Sequence, residues 1–126
     1  MEQFKQKFIE EAIDLINDLE NSLLFIESNP NDKELLNKIF RIMHSLKGGS
    51  DMFGFHKMDK LTHYLETIYD YTRNDKIKLS KSILSFTLNS IDHLRKLLDE
   101  DNYNEELEIN HQQVISNVIE IIREIE

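Results

Sequence analysis

Steps of three and four residues separate the apolar side chains along almost the whole of this 126-residue chain. A half-buried strand alternates with period two, whereas 3.6 residues per turn place i, i+3, i+4 and i+7 on one face, so the spacing dictates amphipathic helices. From Phe4 to about Ile26, Phe4, Phe8, Ile9, Ala12, Ile13, Ile16, Leu19 and Leu23 form the first such face. It ends at Ser28-Asn29-Pro30, because proline has no backbone donor and disfavours helical geometry in the residue before it. Asn31 reads as the N-cap of a second helix, with Glu34 completing a capping-box-like pair. That helix carries Leu35, Leu36, Ile39, Phe40, Ile42, Met43 and Leu46 and is expected to run to about Ser50 or Met52.

Phe53-Gly54-Phe55 then supplies a turn with two aromatic anchors. Met58, Leu61, Leu65 and Ile68 predict a third helix from His56 to about Arg73, followed by the polar break Asn74-Asp75-Lys76. Ser80 is a plausible cap for a fourth helix bearing Ile83, Leu84, Leu88, Ile91, Leu94, Leu97 and Leu98. A loop is expected over Glu100 to Glu106. The last segment, from about Asn110 to Glu126, is rich in β-branched residues, but the spacing of Val114, Ile115, Val118, Ile121, Ile122 and Ile125 overrides that propensity. Three glycines and one proline are too few to punctuate a many-stranded sandwich or barrel. The reading is one all-α domain over residues 1–126, a five-helix antiparallel bundle with short connections. Whether the fifth helix packs on the others is left open.

Twenty-four acidic against fifteen basic residues give a net charge of -9, which weighs against nucleic acid and anionic membrane surfaces as partners. The absence of cysteine removes disulfides, thiolate metal sites and thiol nucleophiles, and suits a reducing cytosol. No apolar run is long enough to span a membrane, and Met1-Glu2-Gln3-Phe4 does not read as a leader.

One stretch departs from simple packing: Met43-His44-Ser45-Leu46-Lys47-Gly48-Gly49-Ser50. Two adjacent glycines inside a helix cost about 1 kcal/mol each relative to alanine. His44 falls about 40° beyond Phe40, at the edge of the apolar arc. Lys47 and Gly48 follow one turn later, so a cation and an empty space lie beside a partly exposed imidazole. A histidine that takes up a phosphoryl group needs an accessible nitrogen, a nearby positive charge and room. A surface histidine beside a loosely ended helix would leave the same residues, and His-x-x-Lys-Gly alone does not separate the two.

The run His44-Ser45-Leu46-Lys47-Gly48-Gly49-Ser50, then Met52-Phe53-Gly54-Phe55, then His63-Tyr64-Leu65-Glu66, resembles the histidine-phosphotransfer domains, in particular the N-terminal ones of chemotaxis histidine kinases of the CheA family. The resemblance covers nearly the whole chain and implies a four-helix-bundle core. It implies that His44 is the phosphorylated histidine, that Lys47 lies near the phosphoryl group, that Gly48 leaves space beside the ring, that Glu66 takes a hydrogen bond from the ring nitrogen not used for chemistry, and that His63 is a further polar member of the cluster. A carboxylate on Nδ1–H fixes the tautomer that leaves Nε2 unprotonated. By helical wheel alone, His63 and Glu66 fall away from the Leu61/Leu65 stripe and read as a solvated face. Asp51 departs from the pattern by adding negative charge where a small residue is expected.

The resemblance further implies the N-terminal domain of a longer kinase, a substrate and relay that is no enzyme by itself. It would take the γ-phosphoryl group of ATP from a kinase catalytic domain on the same or a dimer-partner chain and pass it to an aspartate of response-regulator receiver domains. No cofactor is expected on this domain; ATP and Mg²⁺ belong to the separate kinase domain. The implied place is the cytoplasm, with other domains linking it to membrane receptor complexes. A phosphotransfer module of another relay and a helical adaptor without covalent chemistry are the alternatives. Glu108-x-x-His111 fits half of a di-metal helix motif, but His63-x-x-Glu66 has the reverse order, so no metal is expected. His56 and His93 read as surface positions.

Overall fold

The computed structural model describes residues 2–126. Helix α1 spans Glu2–Ser28, α2 Lys33–Met52, α3 His56–Arg73, α4 Lys81–Leu98 and α5 Glu105–Ile125, with a 3₁₀ turn at Glu100–Asn102, and there is no strand among the described residues. Around a closed ring, α1 packs on α2, α2 on α3, α3 on α4 and α4 back on α1, which is the four-helix core. Helix α5 lies outside that ring against α3 and α4, so the fifth helix does dock. Ala12, Ile16, Leu19, Ile39, Met43, Leu46, Met58, Leu61, Leu65 and Leu94 are all fully buried at its centre.

Two helix starts differ from the sequence reading. Backbone N–H of Asp32 donates to the carbonyl of Asn29 at 3.0 Å, so the turn after Pro30 uses up Asn31 before the helix begins. Asp32 is therefore the cap, in extended geometry, and its Oδ1 accepts from the N–H of Leu35 at 3.1 Å. Helix α5 begins five residues before Asn110, capped by Asn104, whose Oδ1 accepts from Leu107 N–H at 2.8 Å. Its first turn holds Glu105, Glu106 and Glu108, an acidic run that looks like a loop in sequence but suits the positive end of a helix dipole. Ser80 does cap α4, accepting from Ile83 N–H at 3.1 Å.

His93 is not a surface residue. It faces α5 at 3% exposure, with its Nε2 2.8 Å from Nδ1 of the buried His111. Docking of α5 covers a face of α4 that a four-helix bundle would leave in water. Burial first, and then the neighbouring His111 and Lys96, lower the pKa of His93 to about 4. Burial also lowers that of His111.

The two helical glycines turn out to have different surroundings. A Cβ on Gly49 would meet Cε1 of Phe8 at 2.3 Å, whereas one on Gly48 would meet nothing within 4 Å. Phe8 stacks on Phe53, with ring centres 5.4 Å apart, and tilts against Phe55 at 5.6 Å, so the Phe-Gly-Phe turn grips α1 through one ring. Gly49 thus answers to packing. Gly54 carries φ +81°, a conformation that L side chains rarely adopt, and lets the chain reverse between the two phenylalanines.

Candidate functional site

Helix α2 buries Ile39, Met43 and Leu46, while α3 buries Leu61, Leu65 and Ile68; the interface between these two helices is the most extensive in the bundle. Its rim sets the distance between the exposed edge of α2 and the partly covered edge of α3. His44 stands on the first with its side chain 65% exposed, and Glu66 on the second at 15%.

One carboxylate serves two cationic or polar partners from α2. Nδ1–H of His44 donates to Oε2 of Glu66 at 2.9 Å, and the ammonium of Lys47 donates to Oε1 at 3.2 Å. An ionised carboxylate can only accept, so the proton of a neutral His44 ring belongs on Nδ1 and the lone pair on Nε2. The structure therefore brings His44, Lys47 and Glu66 together. Beside them Gly48 opens onto free space.

His63 stays apart from that hydrogen-bonded group. No hydrogen bond joins its ring to His44, Lys47 or Glu66, and the exposed ring lies edge-on to Tyr64, with centres 6.2 Å apart. Asp51 is exposed and forms no ion pair with Lys47, whose ammonium goes to Glu66 instead. The added negative charge therefore does not neutralise the site's lysine.

Two members were not picked out from sequence. Phe40, one turn before His44, lies nearly parallel to the imidazole, with an interplanar angle of 14° and centres 6.2 Å apart. On its ring sits the guanidinium of Arg73, with Cζ 3.7 Å from the ring centre. Arg73 is seven residues after Glu66 and so nearly on the same face of α3, two turns on; that spacing was the available signal.

The other candidate cluster does different work. Glu108 accepts from the Tyr103 hydroxyl and lies 3.6 Å from the Lys57 ammonium, while His111 is committed to His93. Among the described residues no group of three or more His, Asp or Glu is placed to hold a metal ion.

Residues 3–112 match the Hpt domain family. The chain belongs to that family. The Hpt chain is 40% identical over 96 residues to the chemotaxis protein CheA of Klebsiella aerogenes, covering 76% of this chain but 15% of that protein. Its fold matches the CheA phosphotransferase domain from Thermotoga maritima with a TM-score of 0.75 and 35% identity, over 80% of this chain and 96% of the other. It matches the phosphorylated P1 domain of CheA3 from R. sphaeroides, solved in complex with CheY6, with a TM-score of 0.78 over 95% and 98% of the two chains; at 20% identity that likeness shows the fold alone. This Hpt domain thus spans less than a fifth of the length of the CheA relative, and none of its described helices is long and apolar enough to cross a membrane.

Proposed function

We propose that this Hpt domain is the phosphoacceptor and relay of a chemotaxis-type histidine kinase. The observation that supports this most directly is the Nδ1–H to Glu66 hydrogen bond, which leaves Nε2 of an exposed His44 as the free nucleophile. The Nε2 lone pair attacks the γ-phosphorus of ATP held by a kinase catalytic domain; a P–N bond forms, the bond to the bridging oxygen breaks, and ADP leaves. Glu66 faces the positive charge that develops on the ring, and Lys47, one turn along, is the cation nearest the arriving oxygens. In the second half-reaction an aspartate carboxylate of a response-regulator receiver domain attacks the phosphorus and the P–N bond breaks. The CheA relatives and the CheA phosphotransferase-domain structure support the kinase partner.

The domain supplies the nucleophile and its orientation; ATP and Mg²⁺ are handled by the kinase domain, so the isolated chain is substrate and relay. The role assigned to His63 shrinks to a polar neighbour on α3. We place the domain in the cytoplasm, reaching receptor complexes through other parts of the kinase.

The test is incubation with a CheA-type kinase catalytic domain and γ-labelled ATP. Acid-labile, base-stable label is expected on the wild type and is lost in His44→Gln. Label that survives His44→Gln overturns the assignment.

A further inference from the structure

His44 is held at one ring edge by Glu66, and a single hydrogen bond leaves a ring free to rock about it. The geometry points to a second support: Arg73 is a positioning residue that fixes the His44 ring through Phe40. This inference rests on the reading of His44 as phosphoacceptor.

Four contacts immobilise Arg73 at the end of α3. Its Nε donates to Oδ1 of Asp70 at 2.7 Å, one terminal nitrogen donates to Oδ1 of Asn37 at 3.4 Å, its carbonyl accepts from the Lys33 ammonium at 3.1 Å, and its plane rests on Phe40. Asn37 belongs to α2 and Asp70 to α3, so the guanidinium is tied to both helices. Phe40 thus touches both groups, with the Arg73 cation 3.7 Å over its ring centre and the His44 imidazole stacked nearly parallel at 6.2 Å. Offset aromatic pairs at 4.5–7 Å and a cation over a ring are both attractive, and neither survives rotation of Phe40 out of the stack. Locking Phe40 removes a direction in which His44 could swing, so the ring keeps both its attacking orientation and its Nδ1–H bond to Glu66, and a nucleophile held that way reacts faster.

Arg73→Met keeps the alkyl stem but removes the cation, Phe40→Leu removes the stack, and the double variant tests whether they act in series. Each single variant is expected to take up phosphoryl groups three- to tenfold more slowly, with the double variant no slower than Phe40→Leu alone. Arg73→Lys, which keeps a cation in reach of Phe40, should recover at least half of the rate. Nitrogen-15 NMR of the His44 ring gives the readout that a merely structural role would not move: Arg73→Met should shift the Nδ1 and Nε2 resonances toward those of a mixed tautomer. Should Arg73→Met unfold, Arg73→Gln, which retains a donor but no cation, takes its place. Unchanged His44 resonances, a wild-type rate, or additive slowing in the double variant each overturn the inference. A wild type that carries no label on His44 overturns the phosphoacceptor reading instead, and the NMR comparison then still decides whether Arg73 positions the ring.

Discussion

Glu66 stands 22 residues beyond His44 in sequence, yet its Oε2 receives the Nδ1–H of His44 at 2.9 Å while its other oxygen holds Lys47. Glu66→Gln would keep the size of the side chain and remove its charge. The remaining amide accepts more weakly and is as ready to present its NH₂ group to the ring, which favours the wrong tautomer. A charge-assisted bond contributes on the order of 1.5–3 kcal/mol, so phosphoryl uptake at His44 is expected to fall about ten- to a hundredfold. Initial rates of labelling with the kinase domain measure this; a wild-type rate removes Glu66 from the mechanism.

The adjacent glycines should respond in opposite directions. Gly48→Ala meets open space on a helix and is expected to raise stability by about 0.5–1 kcal/mol. Gly49→Ala drives a methyl into Phe8, whose ring is held by Phe53 and Phe55, and overpacking of this kind costs about 1–3 kcal/mol. Urea denaturation of the two variants gives the comparison. If Gly48→Ala is more stable yet slower in transfer, the space beside His44 is used by the incoming partner.

Acid should weaken the protein through the α4–α5 contact. His93 has a pKa lowered from 6.5 to about 4, and that of His111 moves the same way. In the unfolded chain His93 takes up its proton near pH 6.5, but in the folded chain only near pH 4. Within that window the unfolded state binds more protons, so the contribution is complete above pH 6.5 and is lost as pH falls to about 4, by at most about 3 kcal/mol. Lys96, Lys57 and Lys60 disfavour a charge there, while Glu108 favours one on His111. Stability measured between pH 6.5 and 4.5 should slope less in His93→Gln, which keeps a hydrogen-bonding side chain without titrating; equal slopes refute this account.

At the start of α2, Asp32→Ala should cost about 0.5–2 kcal/mol and Asn31→Ala almost nothing, because only Asp32 accepts from the helix N–H groups. Thermal melts of the pair decide it, and equal losses would restore Asn31 as a cap.

Legibility in the sequence followed how local each cause was. Helix α3 runs from His56 to Arg73 as its spacing predicts, and Ser80 caps α4, because these depend on neighbours within a turn. The cap at Asp32 was misplaced by one residue since a turn after proline consumes a number of residues that composition does not state. Glu66 looked solvated because the Leu61/Leu65 stripe is narrower than the real buried arc. Helix α3 meets α2, α4 and α5, so Thr62 and Tyr69, one turn before and one turn after Glu66 and between it and the leucine stripe, are also buried. His93 was misread for the same reason, as its cover comes from a helix whose docking the pattern left open. Glu66 came from the resemblance and lies within hydrogen-bond distance of His44, and Lys47 came from its place one turn after His44; Arg73 and Phe40 meet only through the packing of α3 on α2.

Viewed as a mechanical part, α2 is a beam clamped at both ends. Lys33 ties its start to the Arg73 carbonyl and to Asp75, and beyond its end Phe53 and Phe55 hold Phe8 between them. At 1.5 Å per residue, His44 stands roughly 16 Å along a span of about 30 Å, near the middle. That is where an unsupported rod would flex most under load. With both ends pinned and Gly49 seated on Phe8, a load applied at the imidazole would pass into the bundle before it could bend the helix.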